Sequence, residues 1–351
     1  MAKLNICMIG HGMMGTWHSE ALTGSDDAVL HSVVGKSMPE VAAFAERHGY
    51  RRASTDWQAA IADPSVDAVI VASPSEDHAR MTLGAIEAGK PVLAEIPLAM
   101  SLAAAERVVE AAEQRGVPLA VCHPMRFRTC RHDMLRRIAT GEERPSHVHG
   151  RFFIHRLVNV GATGIRRSWT DNILWHHTTH LIDFGLFLLG GGDPVKAATR
   201  IRRIDSVMPD VDPRTGIPME LVLTVETEDA QTIVATGSYY APWRIYDMLA
   251  VTDRDVNHVD ELTAIMTAGD GKGGKRSTAI ETERENAWRV ARDFVEALTA
   301  ERPPFVTGAS VLPVLGVLEH VQRAWDARFG IRALPGRPLD EFAGKQIAAN
   351  A

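Results

Sequence analysis

His176, His177 and His180 fall within five residues, and Asp183 follows three residues on. On a helix, positions i, i+4 and i+7 share one face, so His176, His180 and Asp183 are expected to project together. A neutral imidazole accepts a proton near neutral pH, and a neighbouring carboxylate can fix the orientation of its ring. The set reads as a general base for removing a hydroxyl proton, with His180 the expected base, Asp183 its orienting group and His176 the alternative. His177 is expected to face elsewhere. The same residues have plainer readings. Histidines at i and i+4 also have metal-ligand spacing, with Asp183 or His123 able to supply a third ligand. No His-Glu-x-x-His pattern accompanies them, and no metal is expected. A single histidine is more often a hydrogen-bonded core residue than a catalyst.

A second kind of chemistry is encoded at the start of the chain. Leu4, Ile6, Met8 and Ile9 read as a short buried strand, and His18 to Leu22 as a helix. Between them Gly10, Gly12 and Gly15 stand at the spacing G-x-G-x-x-G. The first glycine allows a tight turn, the second lets backbone approach a pyrophosphate, and the third lets helix pack on strand. Gly10, His11, Gly12, Met13, Met14 and Gly15 are thus expected to cradle a dinucleotide, with the helix N-terminus facing its phosphates. The motif alone is a weak signal; the strand–helix alternation that follows strengthens it. The second strand ends Val33-Val34-Gly35-Lys36-Ser37. An acidic residue there would bind the ribose of NAD. None is present, and Lys36 and Ser37 can hold a 2′-phosphate. NADP is the expected cofactor, with NAD also possible.

These groups need a scaffold. Val29–Val34, Ala68–Ala72, Pro91–Ala94 and Leu119–Cys122 read as strands. Helices are read between them at Pro39–His48, His78–Ala88 and Leu102–Arg115. This alternation predicts a doubly wound parallel sheet over residues 1–122, with ligands at the carboxyl ends of its strands. Beyond Pro124 the pattern changes. His147–Ile154, Glu220–Glu226, Thr232–Gly237 and Tyr246–Val251 read as strands without helices between them, a mostly antiparallel open sheet. Two amphipathic helices close the chain, near Glu281–Leu298 and Ser310–Arg328. Residues 123–351 are therefore read as a second, α+β domain that binds substrate and carries oligomer contacts. Its helices are too few to cover both sheet faces, so a homodimer or homotetramer is expected.

Composition narrows the function classes. The 351 residues are 45% hydrophobic and 23% charged, with a formal net charge of −6. That balance disfavours nucleic acid or an anionic membrane as partner. No run approaches the roughly 20 apolar residues of a membrane span. Cys7, Cys122 and Cys130 form no disulfide framework, and with no leader pattern in view a reduced, cytoplasmic setting is expected.

Several segments together resemble the glucose-fructose oxidoreductase/inositol dehydrogenase family. Ser73-Pro74-Ser75-Glu76-Asp77-His78 is similar to its T-P-N-x-x-H stretch, and Ala88-Gly89-Lys90-Pro91-Val92-Leu93-Ala94-Glu95-Ile96-Pro97 to its A-G-K-H-V-x-x-E-K-P. Arg126-Phe127 resembles the R-F that follows the last strand of the first domain. His176 to Asp183 resembles the D-x-G-x-H-x-x-D helix. With the glycine loop, these matches span roughly the first 185 residues. The resemblance implies a nicotinamide-dependent dehydrogenase in which Ser73, Pro74, Ser75, His78, Glu95 and Ile96 also line the cofactor, and in which His180 takes the proton.

Two departures matter: Ile96 stands at the family's catalytic lysine, and His176 at its first helix aspartate. Glu95–Leu98, Arg167–Asp171 and the Trp175-His176-His177 start are similar to one branch of the family. That branch oxidises the cyclic hemiacetal of a carboxylated semialdehyde to a lactone. The resemblance then implies a small carboxylated substrate. Arginine forks suit carboxylates, so Arg126 and Arg167 are the expected substrate cations, with His123, Trp169 and Asp171 beside them. Solvated arginines and a core tryptophan are the plain alternatives. Other readings are a sugar dehydrogenase, a non-catalytic NADP-binding subunit, and a redox-neutral enzyme that uses NAD transiently.

Overall fold

A computed structural model describes residues 3–160, 169, 171–269 and 272–331, which form two compact units. The first begins with β1 (Leu4–Ile9), α1 (Met13–Leu22), β2 (Ala28–Val34), α2 (Met38–His48), β3 (Arg52–Ser54) and α3 (Trp57–Ala62). It continues with β4 (Ala68–Val71), α4 (His78–Glu87), β5 (Val92–Ala94), α5 (Leu102–Arg115) and β6 (Leu119–Val121). The strands make one parallel sheet of order β3-β2-β1-β4-β5-β6. β4 and β5 are buried along their whole length, as strands covered on both faces must be. Asp56 starts α3 by accepting from the backbone of Gln58 and Ala59, both at 3.0 Å, and Ser101 starts α5 by accepting from Ala104 at 3.2 Å. The chain steps outward from β1 through β2 to β3, then returns to β4 on the other side of β1. That reversal opens a crevice at the carboxyl edge, where dinucleotides bind.

The second unit contains α6 (His132–Ala139), β7 (Pro145–His155), α7 (Thr179–Leu189), α8 (Pro194–Ala198), β8 (Ile201–Val207), β9 (Glu220–Thr227) and β10 (Thr232–Ser238). β11 (Tyr240–Thr252), β12 (Val256–Asp260), β13 (Ile265–Gly269), β14 (Lys275–Ala279) and α10 (Leu312–Phe329) complete it. Its eight strands run β14-β13-β12-β11-β7-β10-β9-β8, antiparallel except where β10 lies parallel to β7. Burial alternates along β9 and β10 because one face packs on helices such as α7, whose residues are buried at ten of eleven positions. The opposite face keeps apolar side chains in view: Val222, Val256 and Ile265 are 45%, 47% and 40% exposed.

The domain division differs from the sequence reading. The first unit runs through His123 and Pro124 and takes back residues 287–309, which include most of the helix α9 (Glu283–Thr299). The reason is an open edge. β6 ends the parallel sheet, and the segment after α9 closes it. Val121 donates to the Val306 carbonyl at 3.1 Å, Gly308 donates to Leu119 at 3.0 Å, and Ala120 bridges Thr307 antiparallel. An unpaired edge would present free N–H and C=O groups. Arg292 adds a bond to the Ala21 carbonyl at 3.3 Å.

Candidate active site

The dinucleotide cradle forms in the first unit. α1 starts at Met13, directly after Gly12 and five residues earlier than the sequence reading. Gly10 has φ +113°, and a Cβ there would lie 2.1 Å from the Ala72 carbonyl oxygen. A Cβ on Gly15 would lie 2.3 Å from the Gly10 oxygen. A Cβ on Gly12 would meet open space, the room a pyrophosphate needs. No side chain caps the first turn of α1, so its N–H groups face that space. The loop therefore fits a dinucleotide. His11 packs on Phe44 and lies 3.5 Å from Glu40, against Gly35 at the end of β2. Lys36 is exposed, and Ser37 is the residue from which α2 starts.

At the ends of β4, β5 and β6 the loops are tied together. The His78 ring is buried with its nitrogens 2.8 Å from the carbonyl oxygens of Ser73 and Pro97. Ser75 is buried beside it, and Pro74 precedes the turn that leads into α4. Glu95 is buried, and its Oε1 lies 2.6 Å from His18 Nε2 on α1. Burial pushes the Glu95 carboxyl up, but hydrogen bonds from His18 and Cys122 outweigh it and hold the group below its ordinary value. The donor atoms of His18, Glu95 and Cys122 lie within 4.8 Å of one another. The His18–Glu95 contact is a hydrogen bond at 2.6 Å; ligands of one zinc ion stand about 3 Å or more apart. Sequence reasoning missed His18, whose partner is 77 residues away. Ile96 is buried and carries no proton, and His123 is buried in this same unit.

The second unit holds the other candidates. Leu174–Thr178 is a π-helical turn that precedes α7. Thr178 N bonds to the Ile173 carbonyl at 3.1 Å, the i→i+5 pattern. The Asn172 side chain accepts from the backbone of Leu174 and Trp175 at 2.9 and 3.3 Å and starts the turn. The wide turn adds a residue between His176 and α7, so the α-helical spacing that put His176, His180 and Asp183 on one face does not hold. His176 Nδ1 instead meets Asp171 Oδ2 at 2.6 Å; the imidazole is one-third exposed and the carboxylate buried. His177 stacks on Phe152 at 3.6 Å and bonds the Tyr239 hydroxyl at 2.8 Å. Burial, then the nearby charges of His176 and Arg156, hold its pKa well below the ordinary value, so it stays neutral. Trp169 stacks on Tyr239, and Arg156 lies over both rings at 5.2 and 5.7 Å. Trp175 is core, donating to Gln322 at 3.1 Å. His180 is half-buried at the start of α7.

The structure places Asp183 and Arg126 together in the core. Asp183 accepts from Arg126 Nε at 2.9 Å and Nη2 at 2.5 Å. Arg126 is in turn not an open substrate cation. It is 2% exposed, and its remaining donors bond Ser310 Oγ and O at 2.9 and 3.0 Å. Two residues with opposite charge and matching fork geometry found each other in the core. Arg167 lies outside the described residues. Arg156 and Arg244 are the cations that the structure brings near the histidines; Arg244 lies over Phe152 at 5.7 Å and 3.8 Å from Glu283. Glu283 is pushed up by burial, against the pull of Arg244, Arg128 and His176.

Comparison with known proteins agrees with this layout. Residues 4–123 match the family described as oxidoreductase family, NAD-binding Rossmann fold, and residues 131–243 match bacterial oxidoreductases, C-terminal. The chain is 32% identical over 225 residues to the 4-carboxy-2-hydroxymuconate-6-semialdehyde dehydrogenase of a Sphingobium species, covering 64% of this chain and 69% of that one. It is 33% identical over 124 residues to the myo-inositol 2-dehydrogenase of Thermotoga maritima, covering 35% and 37%. An oxidoreductase from Agrobacterium radiobacter, solved with NAD+, L-tartaric acid and magnesium, superposes with a TM-score of 0.77 at 16% identity over 93% of this chain and 98% of that one. The chain belongs to the Gfo/Idh/MocA family of NAD(P)-dependent oxidoreductases.

Proposed function

We propose that the protein is an NADP-preferring dehydrogenase that oxidises the cyclic hemiacetal of 4-carboxy-2-hydroxymuconate-6-semialdehyde, or a close carboxylated relative, to the lactone 2-pyrone-4,6-dicarboxylate. The observation that carries this reading is the His176–Asp171 pair, a part-exposed imidazole held by a buried carboxylate in a chain whose lysine position is Ile96. The bound nicotinamide ring supplies the hydride acceptor. His176 Nε2 removes the hemiacetal hydroxyl proton, and Asp171 fixes the ring and stabilises the imidazolium that forms. His180 supports the same hydroxyl as a second donor or acceptor. Arg156, Arg244 and Arg167 are assigned to the substrate carboxylates, and Trp169 to a wall of the site. Similarity to the Sphingobium enzyme supports the substrate class. The test is direct: purified protein should form NADPH from NADP+ and the semialdehyde, and should turn over myo-inositol far more slowly. The reverse order points to a polyol dehydrogenase of the same family.

The missing acid at the end of β2 supports the cofactor preference. Lys36 and the N-terminus of α2 together favour a 2′-phosphate. Lys36→Ala should weaken NADP binding about tenfold and leave NAD binding within about twofold, measured by quenching of protein fluorescence. Equal NADP affinity in both proteins would reject that role for Lys36.

The apolar face that Val222, Val256 and Ile265 leave in view supports pairing with a second copy. Light scattering should report a dimer or tetramer at micromolar concentration, and a monomer would reject this.

A further inference from the structure

Glu95 follows β5, Cys122 follows β6, and His18 reaches them from α1, so the three meet at the carboxyl edge of the parallel sheet. His18 and Cys122 are fully buried and Glu95 is 7% exposed. The groups that act on the carboxylate most strongly are His18, Cys122 and His78; no lysine or arginine stands among them. His18 Nε2 lies 2.6 Å from Glu95 Oε1, and His18 Nδ1 is buried with no hydrogen-bond partner among the described residues. Ile96, next along the chain, offers no cation either. The edge therefore holds a buried carboxylate that stays ionised.

A dinucleotide laid across a sheet of this order has its pyrophosphate at the glycine loop after β1 and its adenosine half toward β2 and β3. The nicotinamide half then falls over the ends of β4, β5 and β6, where Glu95 stands. The oxidised ring carries a positive charge and the reduced ring none. We propose that Glu95 is a selector for the oxidised cofactor: its carboxylate stabilises the cationic nicotinamide over the dihydronicotinamide, with His18 and Cys122 holding it in place. At protein-interior screening, a unit charge about 10 Å away is worth on the order of a tenfold change in binding. Salt in the buffer reaches a buried charge weakly. The inference rests on the first unit binding a nicotinamide dinucleotide, and its test does not depend on turnover.

Dissociation constants of NADP+ and NADPH should be measured by calorimetry for the wild type, Glu95→Gln and Glu95→Asp. The wild type should bind NADP+ more tightly than NADPH. Glu95→Gln keeps an oxygen to accept from His18 and should weaken NADP+ about tenfold while NADPH stays within about threefold; Glu95→Asp should keep the wild-type ratio. A ratio unchanged in Glu95→Gln, or both affinities falling alike, overturns the proposal and leaves the dehydrogenase reading standing. If Glu95→Gln does not fold, the wild-type order decides, since tighter NADPH overturns it. Binding of neither form overturns both readings.

Discussion

Replacement of His176 by alanine lowers kcat by about 10²–10⁴, the range expected for loss of a general base. NADP+ binding stays near its wild-type value, because the glycine loop and α1 are untouched. Asp171→Asn should show a smaller loss in kcat with little change in KM, since the asparagine no longer stabilises the imidazolium but the ring keeps its place. His180→Ala is the decisive comparison. Should it lose turnover while His176→Ala retains it, the base is His180, as the sequence leads one to expect, and the Asp171 pair is structural. Steady-state kinetics on the three variants separates the cases. The physical argument for His176 is that a base needs an accessible lone pair and a fixed ring, and its 2.6 Å contact with a buried carboxylate, on a ring one-third exposed, gives both.

Arg126→Ala should destabilise the fold strongly. It leaves the Asp183 carboxylate in the core without its guanidinium, a loss of about 3–5 kcal/mol. Thermal unfolding should fall by on the order of 10 °C. Pairing the change with Asp183→Leu should recover much of this, because an apolar pair avoids the stranded charge. An Arg126 that served to bind substrate would give a different outcome: a raised KM for the carboxylated substrate with stability nearly unchanged. Calorimetry and kinetics on the same preparation choose between them.

The contrast between Gly10 and Arg126 shows what the sequence could carry. Glycine spacing reports a local backbone requirement, and the βαβ alternation reports burial of each strand in turn, so five of the six strands of the first sheet were legible; the short edge strand β3 and the helix α3 after it were not read. Arg126 and Asp183 are 57 residues apart, and nothing local says that a fork and a carboxylate will meet in the core. β8, β12, β13 and β14 were not read: β8 and β14 are edge strands, β12 and β13 are only five residues long, and β14 is exposed throughout. The π turn at Leu174–Thr178 is a choice between hydrogen-bond partners one residue apart, which side-chain periodicity does not record. That choice moved His176 from a shared face with Asp183 to a partnership with Asp171.

The closure of β6 by residues 306–308 bears on how the chain comes off the ribosome. The glycine loop and five of the strands can assemble early, yet the last strand gains its neighbour only when the chain has been made to about Gly308. At roughly 5–20 residues per second, the unfinished edge stays open for on the order of ten seconds or more. During that interval the nascent cofactor unit exposes Leu119 to Val121, an apolar strand able to pair with other chains. Order of synthesis, and not stability alone, thus favours holding the N-terminal half in a chaperoned state until its closing segment arrives.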